Sequence, residues 1–337
     1  MNPSSAAPSP ALLMDTLFSF QRTHALKAAI DFDIFSGIAE GANTAPILAG
    51  RCATSEKGMR VLCDFMTING FLTKSGEVYA LTQDSNIFLN RHSPAYMGSV
   101  ANFLVSPDLI RHFQNLPEVI RKGGSLEEGG TVSYDNPVWV LFARSMAPMM
   151  IMPAEAIARA VGAPEGKPMR VLDLAAGHGM FGITIARHNP NAQITAIDWP
   201  NVLDVAEENA ERAGVANRLT KQPGDAFTLP FGGPYDVVLI TNFLHHFDIP
   251  TCDKFLAKVY AALSPGGCAV VLDMVPNDDR VTPPMAASFA MVMLGSTPSG
   301  DAYTWTEYQG MFNRSGFKTW EKQDQPGAPQ SILLAYK

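Results

Sequence analysis

The sequence predicts an α/β fold in which a parallel sheet carries helices on both faces, and three observations support this prediction. From residue 168 onward, short apolar runs alternate with segments of helical periodicity, as in a sheet with crossover helices. The last two predicted strands, 317–322 and 331–335, have only a short loop between them and can therefore only be antiparallel. Ahead of the sheet, residues 11–82 predict helices followed by a hairpin, the order of a winged helix.

The N-terminal region, 11–95, is predicted to be this winged-helix module. Apolar residues follow one helical stripe over 11–40, and two shorter helices precede the break at Asn69-Gly70. A DNA-binding function would need a basic face, but the candidate recognition helix holds only Lys57 and Arg60 as cations. We therefore expect a packing or dimerisation module. A transcription regulator with a ligand-sensing domain remains the alternative.

The middle of the chain, 96–165, is predicted to be a helical linker that supplies a substrate wall. It contains an apolar, sulfur-rich run that is typical of core and also suits a flat ligand. The run consists of Trp139, Phe142, Met146, Met149, Met150 and Met152. A second stretch, 281–301, is rich in proline and methionine and is either a lid or a surface insertion. It carries Phe289, Met291 and Met293, which could complete the wall.

The C-terminal region, 166–337, contains the predicted sheet. Helices are predicted over 180–188, 201–213 and 251–263, with a final helix near 304–314. The apolar runs between them predict five parallel strands, which are 169–174, 193–197, 218–222, 236–241 and 268–273. An antiparallel terminal pair distinguishes this arrangement from the two-halves dinucleotide-binding fold.

Composition narrows the class of protein. The 337 residues favour two domains, and 47% hydrophobic with 17% charged residues suits a well-packed soluble protein. A net charge of −7 argues against nucleic-acid binding, and no uninterrupted apolar stretch reaches the roughly 20 residues of a membrane span. Residues 1–10 predict a disordered tail without signal-peptide features. The four scattered cysteines indicate reduced thiols of a cytoplasmic protein, without a metal site.

The glycine-rich segment 171–182 fits two cofactors. Gly177, Gly179 and Gly182 match the G-x-G-x-x-G pattern of dinucleotide sites, which would indicate a nicotinamide-dependent oxidoreductase. Asp173 followed by Ala175 and two of these glycines instead matches S-adenosylmethionine sites. A carboxylate this close would repel a pyrophosphate, whereas it would attract a sulfonium and an ammonium group.

Downstream residues favour S-adenosylmethionine. Asp198 ends the second strand and could bind ribose hydroxyls in either case. Gly224-Asp225-Ala226-Phe227 ends the third strand, where the acid could accept from an adenine amine and the ring could stack. Four polar residues lie at or just past the ends of four successive strands, where open α/β sheets bind ligands. They are Asp173, Asp198, Asp225 and His245.

Together these motifs resemble the small-molecule O-methyltransferases of plants and bacteria that use S-adenosylmethionine, the family of caffeate, hydroxyneurosporene, acetylserotonin and mitomycin methyltransferases. The resemblance covers nearly the whole chain, from 25–35 and Asn69-Gly70 to the Leu263-Ser264-Pro265-Gly266-Gly267 segment. It implies a Rossmann-like, seven-stranded class I methyltransferase domain over 166–337, an N-terminal dimerisation domain and a homodimer. It also implies a methyl transfer to a hydroxyl of a small aromatic or enolic acceptor, with S-adenosylhomocysteine as product.

The resemblance implies roles for individual residues. His245 would be the catalytic base, framed by Asp273 and Glu307. The cofactor-binding residues would be Asp173, Ala175, Gly177, Gly179, Asp198, Trp199, Gly224, Asp225, Ala226, Phe227 and Asn242. The substrate residues would be Trp139, Phe142, Met146, Met149, Met150, His246, Phe289 and Met293. The chain departs from the family where Ala175 replaces a glycine and His246 replaces an aspartate. Methylation of carbon or nitrogen remains an alternative.

Overall fold

In a computed structural model the chain is described over residues 8–132 and 136–337, so most of the predicted N-terminal tail lies outside the described residues. The chain divides into two compact units, with the boundary between Ser106 and Pro107. The predicted domain limits at 95 and 165 do not coincide with this boundary and stay a prediction.

The first unit contains six helices and one hairpin among its described residues. The predicted helix over 11–40 is two helices, because Asp33 adopts a left-handed conformation with φ 54°. The hairpin follows the fourth helix, in the order of a winged helix. The elements are α1 (Ala11–Asp31), α2 (Ile34–Ala39), α3 (Ala45–Cys52), α4 (Glu56–Ile68), β1 (Leu72–Ser75), β2 (Val78–Leu81), α5 (Gln83–Phe88) and α6 (Val100–Leu104).

The cations of this winged helix are largely neutralised within the unit. Asp64 on α4 forms ion pairs with Arg60, at 3.0 Å, and with Lys74 on the hairpin, at 2.6 Å. The Tyr79 hydroxyl donates to the same carboxylate, and its ring lies in the buried core of the unit. Of Lys57, Arg60 and Lys74, two are thus engaged in ion pairs with Asp64.

The second unit contains a seven-stranded sheet, which confirms the predicted fold. The strands are β3 (Met169–Leu174), β4 (Ala192–Asp198), β5 (Leu219–Pro223), β6 (Tyr235–Thr241), β7 (Leu263–Asp273), β8 (Thr319–Asp324) and β9 (Ser331–Tyr336). Their order is β5-β4-β3-β6-β7-β9-β8. The first five are parallel to one another, and β9 pairs antiparallel with both β7 and β8.

Eight α-helices accompany this sheet among the described residues of the unit. They are α7 (Pro107–Gln114), α8 (Leu116–Lys122), α9 (Val138–Ala160), α10 (Met180–His188), α11 (Pro200–Arg212), α12 (Ile249–Ala262), α13 (Pro284–Ser296) and α14 (Trp305–Arg314). Helices α7 and α8 pack against α13. Two large apolar clusters lie on opposite faces of the strands, one around Leu172 and Val238 and the other around Val171 and Leu239. Consecutive strand residues are therefore buried on both sides, which explains the continuous apolar runs in the sequence.

Helix α9 is the one described helix whose length and mean hydropathy would allow it to cross a membrane. Core helices of soluble proteins meet the same criterion. This helix packs against α10 and α11, and Ala154, Ile157 and Ala158 are fully buried there. One face of α9 therefore belongs to the core of the unit, whereas Ile151 and Met152 are exposed.

Candidate active site

A cavity of about 280 Å³ opens at the carboxyl ends of the parallel strands. The position follows the rule for open α/β sheets, because the loops after the strands diverge there. Its lining combines a small-residue turn, acidic residues and aromatic rings. The predicted residues on this lining are Trp139, Phe142, Ala175, Gly177, Asp198, Trp199, Gly224, Asp225, Ala226, Phe227, Asn242 and His246.

The three glycines of the turn are required for different structural reasons. Gly177 lines the cavity with φ +58°, and its N–H donates to the Asp198 carboxylate at 2.8 Å. Gly179 and Gly182 do not line it. A Cβ on Gly179 would lie 3.0 Å from the Ala206 Cβ of α11, and one on Gly182 would lie 2.7 Å from the Ile194 side chain of β4. Of these three glycines only Gly177 therefore faces the cavity, whereas Gly179 and Gly182 permit close packing.

Asp173 lies beneath the turn, not on the cavity wall, which corrects the expected direct contact with the cofactor. It is 1% exposed, and one carboxylate oxygen accepts the Gly182 N–H at 3.2 Å while the other has no described partner. Burial raises the pKa of this carboxyl to about 8. The side chain therefore supports the turn from below.

Asp198 ends β4 and holds the turn in place. Its two carboxylate oxygens accept the N–H groups of Gly177, at 2.8 Å, and Trp199, at 2.7 Å. Burial raises the pKa of this carboxyl to about 6. Each oxygen keeps a lone pair for a further donor, so the side chain can also accept hydroxyl groups from a ligand in the cavity.

The loop after β5 forms an aromatic platform. Asp225 accepts the Phe227 N–H, and the Phe227 ring lies 4.8 Å from Phe247 and 5.0 Å from Phe255. Lys258 of α12 donates to three carbonyls of this loop at 2.6–2.9 Å, those of Ala226, Phe227 and Leu229. An acid and a partly exposed ring are therefore held side by side, as an adenine would require.

His245 and His246 follow β6 in a short 3-10 turn over Leu244–His246. The Nδ1 atom of His245 lies 2.6 Å from Oδ1 of Asp273, the last residue of β7. A carboxylate can only accept, so Nδ1 carries the proton and Nε2 keeps the lone pair. His245 itself is 4% exposed and adjoins the cavity lining through His246, with ring centroids 4.3 Å apart.

Glu307 does not frame this histidine, which corrects the expected role. One of its oxygens accepts the Thr304 N–H at 2.8 Å, completing a capping box at the start of α14. The other oxygen accepts from Arg280 at 2.6 Å. Both oxygens are therefore committed to helix capping and an ion pair.

The aromatic wall of the cavity is built by α9 and the histidines. Trp139 meets Phe142 edge-on at 5.8 Å and His246 at 5.2 Å. Phe142 stacks on His178 of the glycine turn at 6.2 Å. Burial lowers the pKa of His178 to about 4 and that of His246 well below its ordinary value, so both rings are neutral. Such a wall suits a flat, uncharged ring system.

Several predicted wall residues lie outside the lining. Met146, Met150 and Met293 are buried in the core, because these positions of α9 and α13 face neighbouring elements rather than the cavity. Met149 packs against the apolar cluster of one sheet face. Phe289 contacts the site from outside, with its ring 4.9 Å from that of His245.

The sequence reasoning missed three residues at the site. His178 lies within the glycine turn and could have been noted as a polar residue in a ligand-facing loop. Lys258 and Tyr308 gave no local signal. Lys258 reaches the loop after β5 from α12, and the Tyr308 hydroxyl donates to Asp273 at 2.6 Å from α14.

A sheet of this order, with a carboxylate-supported glycine turn and a histidine–aspartate pair at its carboxyl ends, is that of a class I S-adenosylmethionine-dependent methyltransferase. Comparisons with known proteins narrow the class. The O-methyltransferase domain of one family matches residues 131–318, and its dimerisation domain matches residues 14–91. The chain belongs to this O-methyltransferase family and is an S-adenosylmethionine-dependent enzyme.

Individual relatives agree with this assignment. A crystal structure of a candidate O-methyltransferase from Nostoc punctiforme is 47% identical, with a TM-score of 0.94 over 98% of this chain and 100% of that one. Human N-acetylserotonin methyltransferase in complex with SAM shares the fold at 23% identity, with a TM-score of 0.86 over 99% of both chains. The 3-hydroxy-5-methyl-1-naphthoate 3-O-methyltransferase of Streptomyces sahachiroi is 26% identical over 91% of this chain and 89% of that protein.

Proposed function

We propose that this enzyme methylates a hydroxyl of a small aromatic or enolic acceptor, with His245 as general base. The observation that carries the proposal is the bond between His245 Nδ1 and Asp273, which fixes the ring beside an aromatic cavity wall. A naphthoate hydroxyl is the acceptor that the name of the Streptomyces relative gives. A phenolic ring system of that kind fits the wall described above.

The cofactor-binding half of the cavity has the groups that S-adenosylmethionine requires. Asp198 would accept the ribose hydroxyls, Asp225 the adenine amine, and Phe227 would stack on the adenine. Gly177 leaves room at the turn, since the nearest side-chain atom to an added Cβ is 4.0 Å away on Phe142. The bound cofactor supplies an electrophilic methyl group.

The protein's own task is to orient the acceptor and remove its proton. A phenol has an unperturbed pKa of about 10, within reach of a neutral imidazole as base. Asp273 holds His245 in the tautomer whose Nε2 can take the proton, and its charge would stabilise the imidazolium that forms. The proposed reaction needs no metal ion, because the imidazole alone activates the hydroxyl.

His246 would bind the acceptor by a hydrogen bond rather than deprotonate it. It lines the cavity, none of the described carboxylates bonds to it, and its Nδ1 is buried without a described partner. A neutral imidazole in the wall can hydrogen-bond to a ring substituent of the acceptor. The two adjacent histidines therefore have distinct proposed roles, base and recognition.

Substituting each histidine separately tests these roles. His245→Ala should lower kcat by about 10²–10⁴-fold on a phenolic acceptor, the usual contribution of a general base. His246→Ala should mainly raise KM for the acceptor. Turnover of labelled S-adenosylmethionine would measure both, and mass spectrometry with NMR of the product would distinguish O-methylation from C-methylation. Full turnover in His245→Ala together with loss of turnover in His246→Ala would show that His246, and not His245, is the base.

We also propose that the enzyme is a cytoplasmic homodimer assembled through the first unit. The matched dimerisation domain supports self-association. Helix α1 exposes large apolar side chains that a monomer would leave in water, namely Leu12, Leu13, Leu17, Phe18 and Phe20. Sedimentation equilibrium should give twice the chain mass, and Leu17→Glu should shift it toward the monomer. A monomeric wild-type protein at micromolar concentration would contradict this assembly.

A further inference from the structure

Tyr308 occupies a position that the proposed mechanism does not yet use. It is one residue beyond Glu307 on α14, and the rotation of about 100° per helix residue directs Glu307 toward Arg280 and Tyr308 into the core. Tyr308 is fully buried, and its hydroxyl donates to Oδ2 of Asp273 at 2.6 Å. Burial raises the pKa of this hydroxyl well above its ordinary value, so it remains a donor.

The Asp273 carboxylate is enclosed by donors. Oδ1 faces His245 Nδ1 at 2.6 Å and accepts the Met274 N–H at 2.8 Å, and Oδ2 accepts from Tyr308. The residue is 0% exposed, so bulk water does not compete for these bonds. Both oxygens are held in place, and the rotation of the carboxylate about its side-chain bond is therefore fixed from both sides.

The other polar groups around this pair have different partners. The Cys252 thiol donates to the Leu244 carbonyl, the Tyr303 hydroxyl donates to the Phe247 carbonyl, and His246 faces His245 without bonding Asp273. Within 8–132 and 136–337, His245 and Tyr308 are thus the two side chains that bond the carboxylate.

We propose that Tyr308 is a positioning residue for catalysis, which fixes the Asp273 carboxylate so that it holds the His245 ring with Nε2 toward the acceptor. It acts through Asp273 and touches neither the acceptor nor the cofactor. The inference deepens the proposed function and depends on His245 being the base. Because a carboxylate anchored at one oxygen only can rotate, loss of the tyrosine hydroxyl would loosen the imidazole rather than remove it.

Tyr303 offers a matched control. It is a second buried tyrosine in the same apolar cluster, 6.1 Å from Tyr308 between ring centroids, and its hydroxyl bonds a carbonyl instead of Asp273. Tyr308→Phe and Tyr303→Phe thus remove the same atom from the same core. A merely structural effect would appear in both variants.

The first readout is the downfield Nδ1–H resonance of His245 in labelled protein saturated with S-adenosylhomocysteine, assigned by its absence in His245→Ala. Tyr308→Phe should shift or broaden this resonance, and Tyr303→Phe should leave it in place. The second readout is turnover on the phenolic acceptor. Tyr308→Phe should lower kcat about 10-fold with KM for S-adenosylmethionine unchanged, as expected for one hydrogen bond to a charged group.

If Tyr308→Phe does not fold, 3-fluorotyrosine at position 308 keeps the ring and hydroxyl but makes a stronger donor. It should shift the His245 resonance upfield, because a stronger donor to Oδ2 makes the shared Asp273 carboxylate a weaker acceptor for the Nδ1–H group. An unshifted resonance with either change at position 308, or equal effects at 303 and 308, would overturn the positioning role. Full turnover in His245→Ala would instead refute the proposed base. The effect of Tyr308 on the His245 ring would still be measured by the resonance.

Discussion

The cofactor half and the catalytic half of the cavity are held together by different kinds of bonds. In the cofactor half, carboxylates accept backbone N–H groups, as Asp173 does from Gly182 and Asp198 does from Gly177 and Trp199. In the catalytic half, side chains bond to side chains, as His245 and Tyr308 do to Asp273. Every residue except proline has a backbone N–H donor, so the donors of the first half depend on turn shape, whereas those of the second depend on the identity of each side chain.

The largest effect in the cofactor half is expected at Asp173, because the charge state of this carboxyl depends on its burial under the turn. Its pKa is raised to about 8, so its stabilising contribution is present below pH 4 and is lost as pH rises through 8. Asp173→Asn should therefore gain stability relative to wild type by roughly 1 kcal/mol per pH unit across this window. Urea unfolding between pH 5 and 9 measures it.

Asp236→Asn is the control for that series. Asp236 also bonds a backbone N–H, that of Arg170, but lies half-buried at the amino end of the sheet. Its stability difference from wild type provides the baseline for removing an aspartate charge from the same sheet over the same pH range. A pH-independent difference for Asp173→Asn would mean that Asp173 is ionised, and the cofactor half would then rest on a buried charge.

Asp198 should show the next largest effect, now on binding. Asp198→Ala removes the acceptor for the turn and for the ribose hydroxyls, so affinity for S-adenosylhomocysteine should fall about 10²–10³-fold, from two hydrogen bonds to a charged group. Calorimetry measures this, and Asp236→Ala at the opposite end of the sheet should bind normally. Unchanged affinity in Asp198→Ala would contradict the placement of the ribose.

Lys258 differs from the rest of the cofactor half, because here a side chain from another element, helix α12, donates to the carbonyls of the loop after β5. Lys258→Met should leave three loop carbonyls without this donor and weaken S-adenosylhomocysteine binding about 10-fold. Lys254→Met, an exposed lysine on the same helix, is the matched control. Equal affinities in both variants would show that the Phe227 platform holds its shape without the lysine.

Ala175 should give the smallest effect. It adopts φ +50°, a left-handed conformation that costs an L-residue about 1–2 kcal/mol, partly offset by the greater chain entropy of a glycine. Ala175→Gly should stabilise the protein by about 0.5–1 kcal/mol in urea unfolding. Ala176→Gly, whose residue is buried without positive φ, should destabilise it. A destabilising Ala175→Gly would mean that the methyl group contributes packing.

Much of this protein could be predicted from the sequence because the responsible signals are local. Apolar periodicity gave the strands and helices, and a sheet with parallel crossovers brings Asp198, Asp225 and His245 to one edge whatever else the chain does. The turn at 171–182 also follows from small residues at the positions where positive φ and close packing are required.

Only the tertiary structure decided which side chains face one another. It placed Asp173 under the turn and Met146 in the core, and it turned Glu307 outward while Tyr308 reached Asp273. These outcomes depend on the rotation of α9 and α14 about their axes and on packing between segments far apart in the chain. A sequence pattern gives the face of a helix to within a residue or two, and at this site one residue separates the ion pair of Glu307 from the buried bond of Tyr308.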